Sequence, residues 1–149
     1  MTIQPAQRQH VPRVNEIAQA AFQPYVAAMG MRPAPMDDDY GLFLERGELY
    51  VDLDETQQQV LSFIVLRNDA SGLFVETLAV AGGFSGQGLG SKLMRFAQDE
   101  AARRGHDRLW LYTNVKMTQN LLWYPKLGYV ETHRKTEKGF ERVFFEKLL

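Results

Sequence analysis

The chain has 149 residues, with 17 Lys and Arg against 18 Asp and Glu, a net charge of −1 and no cysteine. That balance lacks the basic footprint of a nucleic-acid or anionic-membrane binder, and the missing cysteines exclude disulfides, thiolate metal ligands and an acyl-cysteine intermediate. With 45% hydrophobic and 23% charged residues, the length suits one soluble domain, 1–149, that buries roughly 70% of its unfolded surface.

Met1 to Gln4 reads as a short edge strand stopped by Pro5. The N-terminus has no apolar signal core, and no run approaches the ~20 apolar residues of a membrane span. A cytoplasmic location without membrane partners is therefore expected. Val14, Ile17, Ala18, Ala21, Phe22, Tyr25, Val26 and Met29 recur at three- and four-residue steps, the period of an amphipathic helix. Pro24 falls inside it and is expected to kink or split it. After a loop over Gly30 to Pro35, Asp37-Asp38-Asp39 precedes a short helix from Tyr40 to Arg46, placing acids at its positive end. Leu49 to Leu53 and Val60 to Leu66 read as strands around an Asp54-Glu55-Thr56 turn, and Asn68 to Gly72 as a second turn. A central strand, Leu73 to Val80, leads through a glycine-rich loop into a helix that ends near Arg104, with Gly105 as its stop. Leu109 to Thr113 is the next strand and Thr118 to about Trp123 a short helix. Tyr129 to Lys135 and Phe140 to Glu146 form a hairpin across Thr136 to Gly139. Strands, one helical crossover, then strands again imply an α/β fold with a mixed sheet and helices on both faces.

The glycine-rich loop is Ser85-Gly86-Gln87-Gly88-Leu89-Gly90-Ser91. Glycines at alternate positions admit backbone angles closed to other residues and let a ligand come near the main chain. The helix they open offers free N–H groups and a positive dipole end, which suit a phosphate. The spacing fits neither a P-loop, whose lysine directly follows the last glycine, nor a dinucleotide fingerprint, whose third glycine would fall at Ser91. A plain flexible turn is the structural alternative.

Leu78-Ala79-Val80 followed by Gly86 to Leu93 resembles the pyrophosphate-binding motif of the GNAT N-acetyltransferases. Asn120-Leu121-Leu122-Trp123-Tyr124-Pro125-Lys126-Leu127-Gly128-Tyr129 resembles that family's second signature, and the element order is similar from end to end. The resemblance implies a mostly antiparallel sheet containing one splayed parallel strand pair. It also implies acetyl-CoA as acyl donor, its pyrophosphate on the amides of Gly86, Gln87, Gly88, Leu89, Gly90 and Ser91, and its pantetheine arm along Leu78, Ala79 and Val80. Ser85 stands where the family usually has Gln or Arg, which implies weaker cofactor binding with the amide cradle retained.

Acyl transfer requires an amine to lose a proton, a carbonyl oxygen to be stabilised and a thiolate to be protonated. Tyr124 matches the family's general acid, and a phenol with an ordinary pKa near 10 carries the needed proton at neutral pH. The alternative is a core tyrosine anchoring a helix end; Pro125 is expected to push Tyr124 out of the helical region. Glu76 sits mid-strand among apolar residues, where burial raises a carboxyl towards a useful range. It is the candidate base, acting through water, unless it faces solvent or pairs with an arginine across the sheet. A bulge is expected near Leu78. Asn120 either caps the short helix or bonds the pantetheine amides, and Lys126 either reaches a cofactor phosphate or is solvated. Asn114 is expected to form a turn, and His10, His106 and His133 to lie at the surface. No metal site is indicated.

Asp37 to Asp39 either attract a cationic amine or cap a helix, and Trp123 and Phe43 line either an apolar pocket or the core. The resulting expectation is an N-acetyltransferase acting by direct transfer to a small-molecule or peptide amine. A non-catalytic acyl-CoA-binding module would keep the loop without needing Tyr124, and a nucleotide-binding protein would prefer ATP or NAD. The aromatic hairpin from Phe140 to Phe145 hints at a homodimer.

Overall fold

Apolar strand runs separated by polar turns assemble into one seven-stranded sheet, seen in a computed structural model that describes residues 2–149. Met1, expected in the first strand, lies outside the described residues. The strands are β1 (Thr2–Pro5), β2 (Leu49–Leu53), β3 (Val60–Asp69), β4 (Gly72–Val80), β5 (Arg108–Asn114), β6 (Val130–Glu137) and β7 (Phe140–Leu148). Their spatial order is β1-β2-β3-β4-β5-β7-β6. Every neighbouring pair is antiparallel except β4 and β5, which are joined by the crossover helix α4 (Leu89–Arg103). The expected mixed α/β sheet with a single parallel pair is therefore present.

The helices cover both faces. The amphipathic helix is split at Pro24 into α1 (Val11–Phe22), a 3-10 turn over Gln23–Tyr25, and α2 (Val26–Met29). With α3 (Tyr40–Glu45), α1 buries Val14, Ile17, Tyr40 and Phe43 against Phe63 and Val65 on one face. On the other face α4 and α5 (Thr118–Lys126) bury Leu93, Met94, Ala97 and Tyr124 against Ile64, Leu66, Leu109 and Phe145. β3 is thus buried on both sides over Val60 to Leu66, as a strand covered by two helical layers requires. One charge is drawn into this interior: Lys92 in the first turn of α4 donates to both oxygens of the fully buried Asp52 at 3.0 and 2.9 Å, fastening α4 to β2.

The feature that positions the site is the divergence of β4 and β5. Their parallel register holds only for Leu73↔Leu109 and Phe74↔Trp110. Beyond it β4 stays paired to β3 as far as Val80, and β5 to β7 as far as Asn114. At the closed end a Cβ on Gly72 would lie 2.3 Å from the Arg108 carbonyl oxygen, so only glycine lets the strands meet. The bulge that bends β4 lies at Glu76, between the pairs Val65↔Thr77 and Leu66↔Val75, two residues before the expected place near Leu78.

Other expectations need correction. α5 runs through Pro125 to Lys126, so Tyr124 stays helical; the helix tightens there, with Leu127 N–H donating to the Tyr124 carbonyl at 3.0 Å. His10 is buried, not at the surface, and its Nδ1 accepts from the Gln7 N–H at 2.9 Å. The hairpin aromatics turn inward: Phe145 enters the core, and Phe144 stacks on Trp110 within the sheet. Phe43, open between an apolar pocket and the core, takes the core alternative. Among the described residues, no helix is long and apolar enough to cross a membrane.

Candidate active site

The opening between β4 and β5 is the back wall of a cavity of about 220 Å³. Glu76, Thr77, Leu78 and Ala79 line it from β4, and Tyr112, Thr113 and Asn114 from β5. Asn120, Trp123 and Tyr124 enter from α5, Phe140 and Arg142 from β7, and Phe22, Tyr25, Met29 and Asp38 from the segment between α1 and α3. Pairing to β3 and β7 uses only one edge of each strand, so the facing backbone edges of β4 beyond Phe74 are open to this space. An unpaired edge of that kind suits an extended, amide-bearing chain such as a pantetheine arm.

Tyr124 is 7% exposed and packs against Trp123, Tyr129 and Phe145. Burial, reinforced by Tyr129 and Tyr25, raises its phenol above the ordinary tyrosine value, so it keeps its proton at neutral pH. No hydrogen bond to a described residue engages its hydroxyl, which leaves the O–H free for a molecule in the cavity. Asn120, by contrast, is committed: its amide donates to Thr113 Oγ1 at 3.1 Å and approaches Met117 Sδ at 3.6 Å, so only its carbonyl oxygen is unassigned. Asn114 forms the expected turn by accepting from the Lys116 N–H. The Arg142 guanidinium carbon lies over Tyr112, 4.3 Å from the ring centroid, and Arg142 pairs with Glu137 at 3.4 Å.

Glu76 faces the cavity from the bulge, and Arg67 Nη1 donates to it at 2.9 Å. The three consecutive aspartates divide their tasks. Asp37 pairs with Arg32 at 3.0 Å, and Asp39 caps α3 by accepting from the Leu42 N–H at 3.1 Å. Asp38 lines the cavity. Its carboxyl is pushed up to about 6 by burial and then by Glu76 and Asp37, with Arg67 opposing. Sequence reasoning placed acid in this region but did not separate Asp38 from its neighbours. It also missed Tyr25, Tyr112 and Arg142, which carry no local motif and meet only through the topology.

The glycine loop lies beyond this cavity, at the far end of the open strand. Gly86 and Gly88 take φ values of 78° and 77°, and a Cβ on either would point into open space. Gly88 is the N-cap of α4 and no side chain caps that helix, so its first N–H groups remain available to an anion. Leu89 is buried, Gly90 sits against Trp123, and Ser85, Gln87 and Ser91 complete the rim. This exposed amide cradle fits a phosphate group. Val80 and Lys126 do not line the cavity, and Lys126 is exposed without an ion pair among the described residues. No cluster of metal-ligating side chains occurs among those residues.

Several solved structures share this fold. The ribosomal-protein-S18-alanine N-acetyltransferase from Escherichia coli aligns over 99% of this chain and 92% of its own, with a TM-score of 0.76 and 16% identity. The PaiA N-acetyltransferase from Thermoplasma acidophilum, solved in complex with coenzyme A, aligns over 99% and 98%, with a TM-score of 0.81 and 14% identity. A streptothricin acetyltransferase from Bacillus anthracis, described as putative and solved with acetyl coenzyme A, covers 68% of this chain and 61% of its own, with a TM-score of 0.61 and 18% identity. No curated protein matches the chain by sequence. Identities this low establish the fold alone, but residues 11–129 match the acetyltransferase (GNAT) family directly, and on that match the chain belongs to the GNAT acetyltransferase family.

Proposed function

We propose that the protein transfers an acetyl group from acetyl-CoA to a primary amine in one direct step. The observation that carries this reading is the convergence, in one cavity, of an open β4 edge, a buried phenol with a free hydroxyl, and a carboxylate wall. Acetyl-CoA supplies the activated acetyl group. Gly86 to Ser91 hold its pyrophosphate through backbone N–H groups, and the open edge at Leu78 and Ala79 holds its extended arm, continuing as far as Val80. Tyr124 donates its O–H proton to the departing thiolate sulfur. The carboxylates of the cavity wall, with Glu76 facing it from the bulge, draw off the amine proton by way of water. The apolar walls at Phe22, Tyr25, Met29 and Trp123, with acid on one side, suit an amine that enters as a cation on an apolar body, whether a small molecule or a peptide N-terminus.

The test is Tyr124→Phe. Acetyl-CoA binding measured by calorimetry should change less than threefold. Turnover in a thiol-release assay over a panel of alkyl amines, polyamines, aminoglycosides and peptides should fall by about 10²-fold or more, the usual scale for removing a general acid. Undiminished turnover would overturn the role of Tyr124. Acetyl-CoA binding with no amine turned over by the unaltered protein would leave a non-catalytic acyl-CoA-binding module.

A further inference from the structure

Two carboxylates share the cavity wall but differ in their partners. Glu76 holds a charge-assisted hydrogen bond from Arg67 at 2.9 Å, and the Arg67 Nε lies 3.6 Å from Glu48. A guanidinium that donates to a carboxylate oxygen occupies the lone pair through which that oxygen would accept a proton. Asp38 has no such partner. Its neighbours in sequence are occupied, Asp37 with Arg32 and Asp39 with the α3 N-terminus, and no hydrogen bond from a described residue stabilises its charge. The groups around it are Tyr40, whose hydroxyl is given to the Pro35 carbonyl at 2.7 Å, Glu76 from β4, Arg67 from β3 and Tyr112 from β5. Arg142, the cation contributed by β7, is stacked over Tyr112 and paired with Glu137.

On the reading of the site as an amine acetyltransferase, we infer that the proton of the incoming ammonium ends on Asp38, and that Glu76, held in place by Arg67, is the positioning residue that keeps Asp38 receptive. A desolvated carboxylate beside other carboxylates binds a proton more tightly than one in water. The value of about 6 is close to the optimum for a base working near neutrality. The step balances. The ammonium N–H bond breaks and an O–H bond forms on Asp38, directly or by way of a solvent water. The neutral amine then forms its bond to the acetyl carbon as the carbon–sulfur bond breaks. Tyr124 gives its proton to sulfur and regains one from the nitrogen that attacked, and Asp38 returns its proton to solvent.

The decisive experiment needs no acceptor: a pH titration of the protein labelled with ¹³C at the aspartate carboxyls, saturated with CoA. One aspartate should titrate near pH 6. That signal should vanish in Asp38→Asn and move to lower pH in Glu76→Gln, which leaves the burial in place and removes one of the charges that add to it. With the panel amine that gives turnover, Asp38→Asn should lose about 10²-fold in kcat/KM at pH 7 together with the acidic limb of the pH profile. Glu76→Gln should keep that limb and shift it to lower pH. An Asp38 carboxyl titrating in the ordinary aspartate range, or an acidic limb lost in Glu76→Gln and kept in Asp38→Asn, would overturn the inference while leaving the acetyltransferase reading intact. An Asp38 titrating near 6 in a protein that acetylates no amine would instead overturn that reading, and the inference with it.

Discussion

Asp38 carries a cost that its proposed role explains. A free aspartate ionises near 3.9, whereas in the fold it ionises at about 6. Between these pH values the folded state holds a proton that the unfolded chain has released. Stability is therefore lost as pH rises from about 4 to about 6, and the cost persists in full above that range. Asp38→Asn should be more stable than the unaltered protein at pH 8 and equal to it near pH 4. Solvent screening at this partly exposed group reduces the difference to about 1 kcal/mol, read by urea unfolding at the two pH values. A variant less stable at pH 8 would mean that Asp38 is held by structural contacts. At this scale Tyr124 and Glu76 were legible, because a short motif and a lone acid in an apolar strand both stand out in sequence. Asp38 was legible only as one of three. Which aspartate meets Arg32, which caps α3 and which enters the cavity depends on the path of the chain after Pro35, which local pattern does not specify.

At the scale of elements, the cavity depends on two strands that meet at one end and part at the other. The bulge at Glu76 drives the parting; Gly72 permits the meeting. Gly72→Ala would press a methyl to 2.3 Å from the Arg108 carbonyl oxygen, at a φ of 137° that alanine avoids. Backbone on both sides leaves little room to relax, so a loss of about 2–4 kcal/mol is expected, measured as a lower urea midpoint at unchanged slope. A loss under 1 kcal/mol would show that the closed end of the pair yields. Element identities were readable from apolar periodicity and turn residues, but the bulge and the end of α5 were not. A bulge depends on the register β3 imposes: Val65 and Leu66 must both stay buried, in opposite layers, while β4 gains a residue. α5 survives Pro125 because Tyr124 is anchored among Tyr129 and Phe145, and tertiary packing overrides the local preference against a helical residue before proline.

Across the whole molecule, the sheet is two ladders hinged on a short parallel seam. β1 to β4 form one and β5, β7 and β6 the other, with Leu73↔Leu109 and Phe74↔Trp110 as the backbone pairs between them. The strand order was only partly legible. A hairpin can join β5 through either arm, and the choice follows from burial: β7 brings Val143, Phe144 and Phe145 to the interior, whereas β6 is polar and exposed along nearly all its length, as suits an edge. An open seam leaves backbone groups facing the cavity, and a ligand chain lying there would complete the ladder on both sides. Acetyl-CoA should therefore stabilise the fold globally and protect one place in particular. At a hundredfold excess over its dissociation constant, mass action gives about 2.7 kcal/mol, or roughly 5–10 °C in Tm for a chain of this length. Hydrogen exchange should slow most at Glu76 to Val80 and at the amides of Gly86 to Ser91, with the β6–β7 hairpin turn at Lys138-Gly139 changing least. Protection confined to the glycine loop would place the acyl arm outside the opening between β4 and β5. Tyr124 would then be facing a cavity that the thioester does not enter, and direct transfer at that hydroxyl would fail on geometry alone.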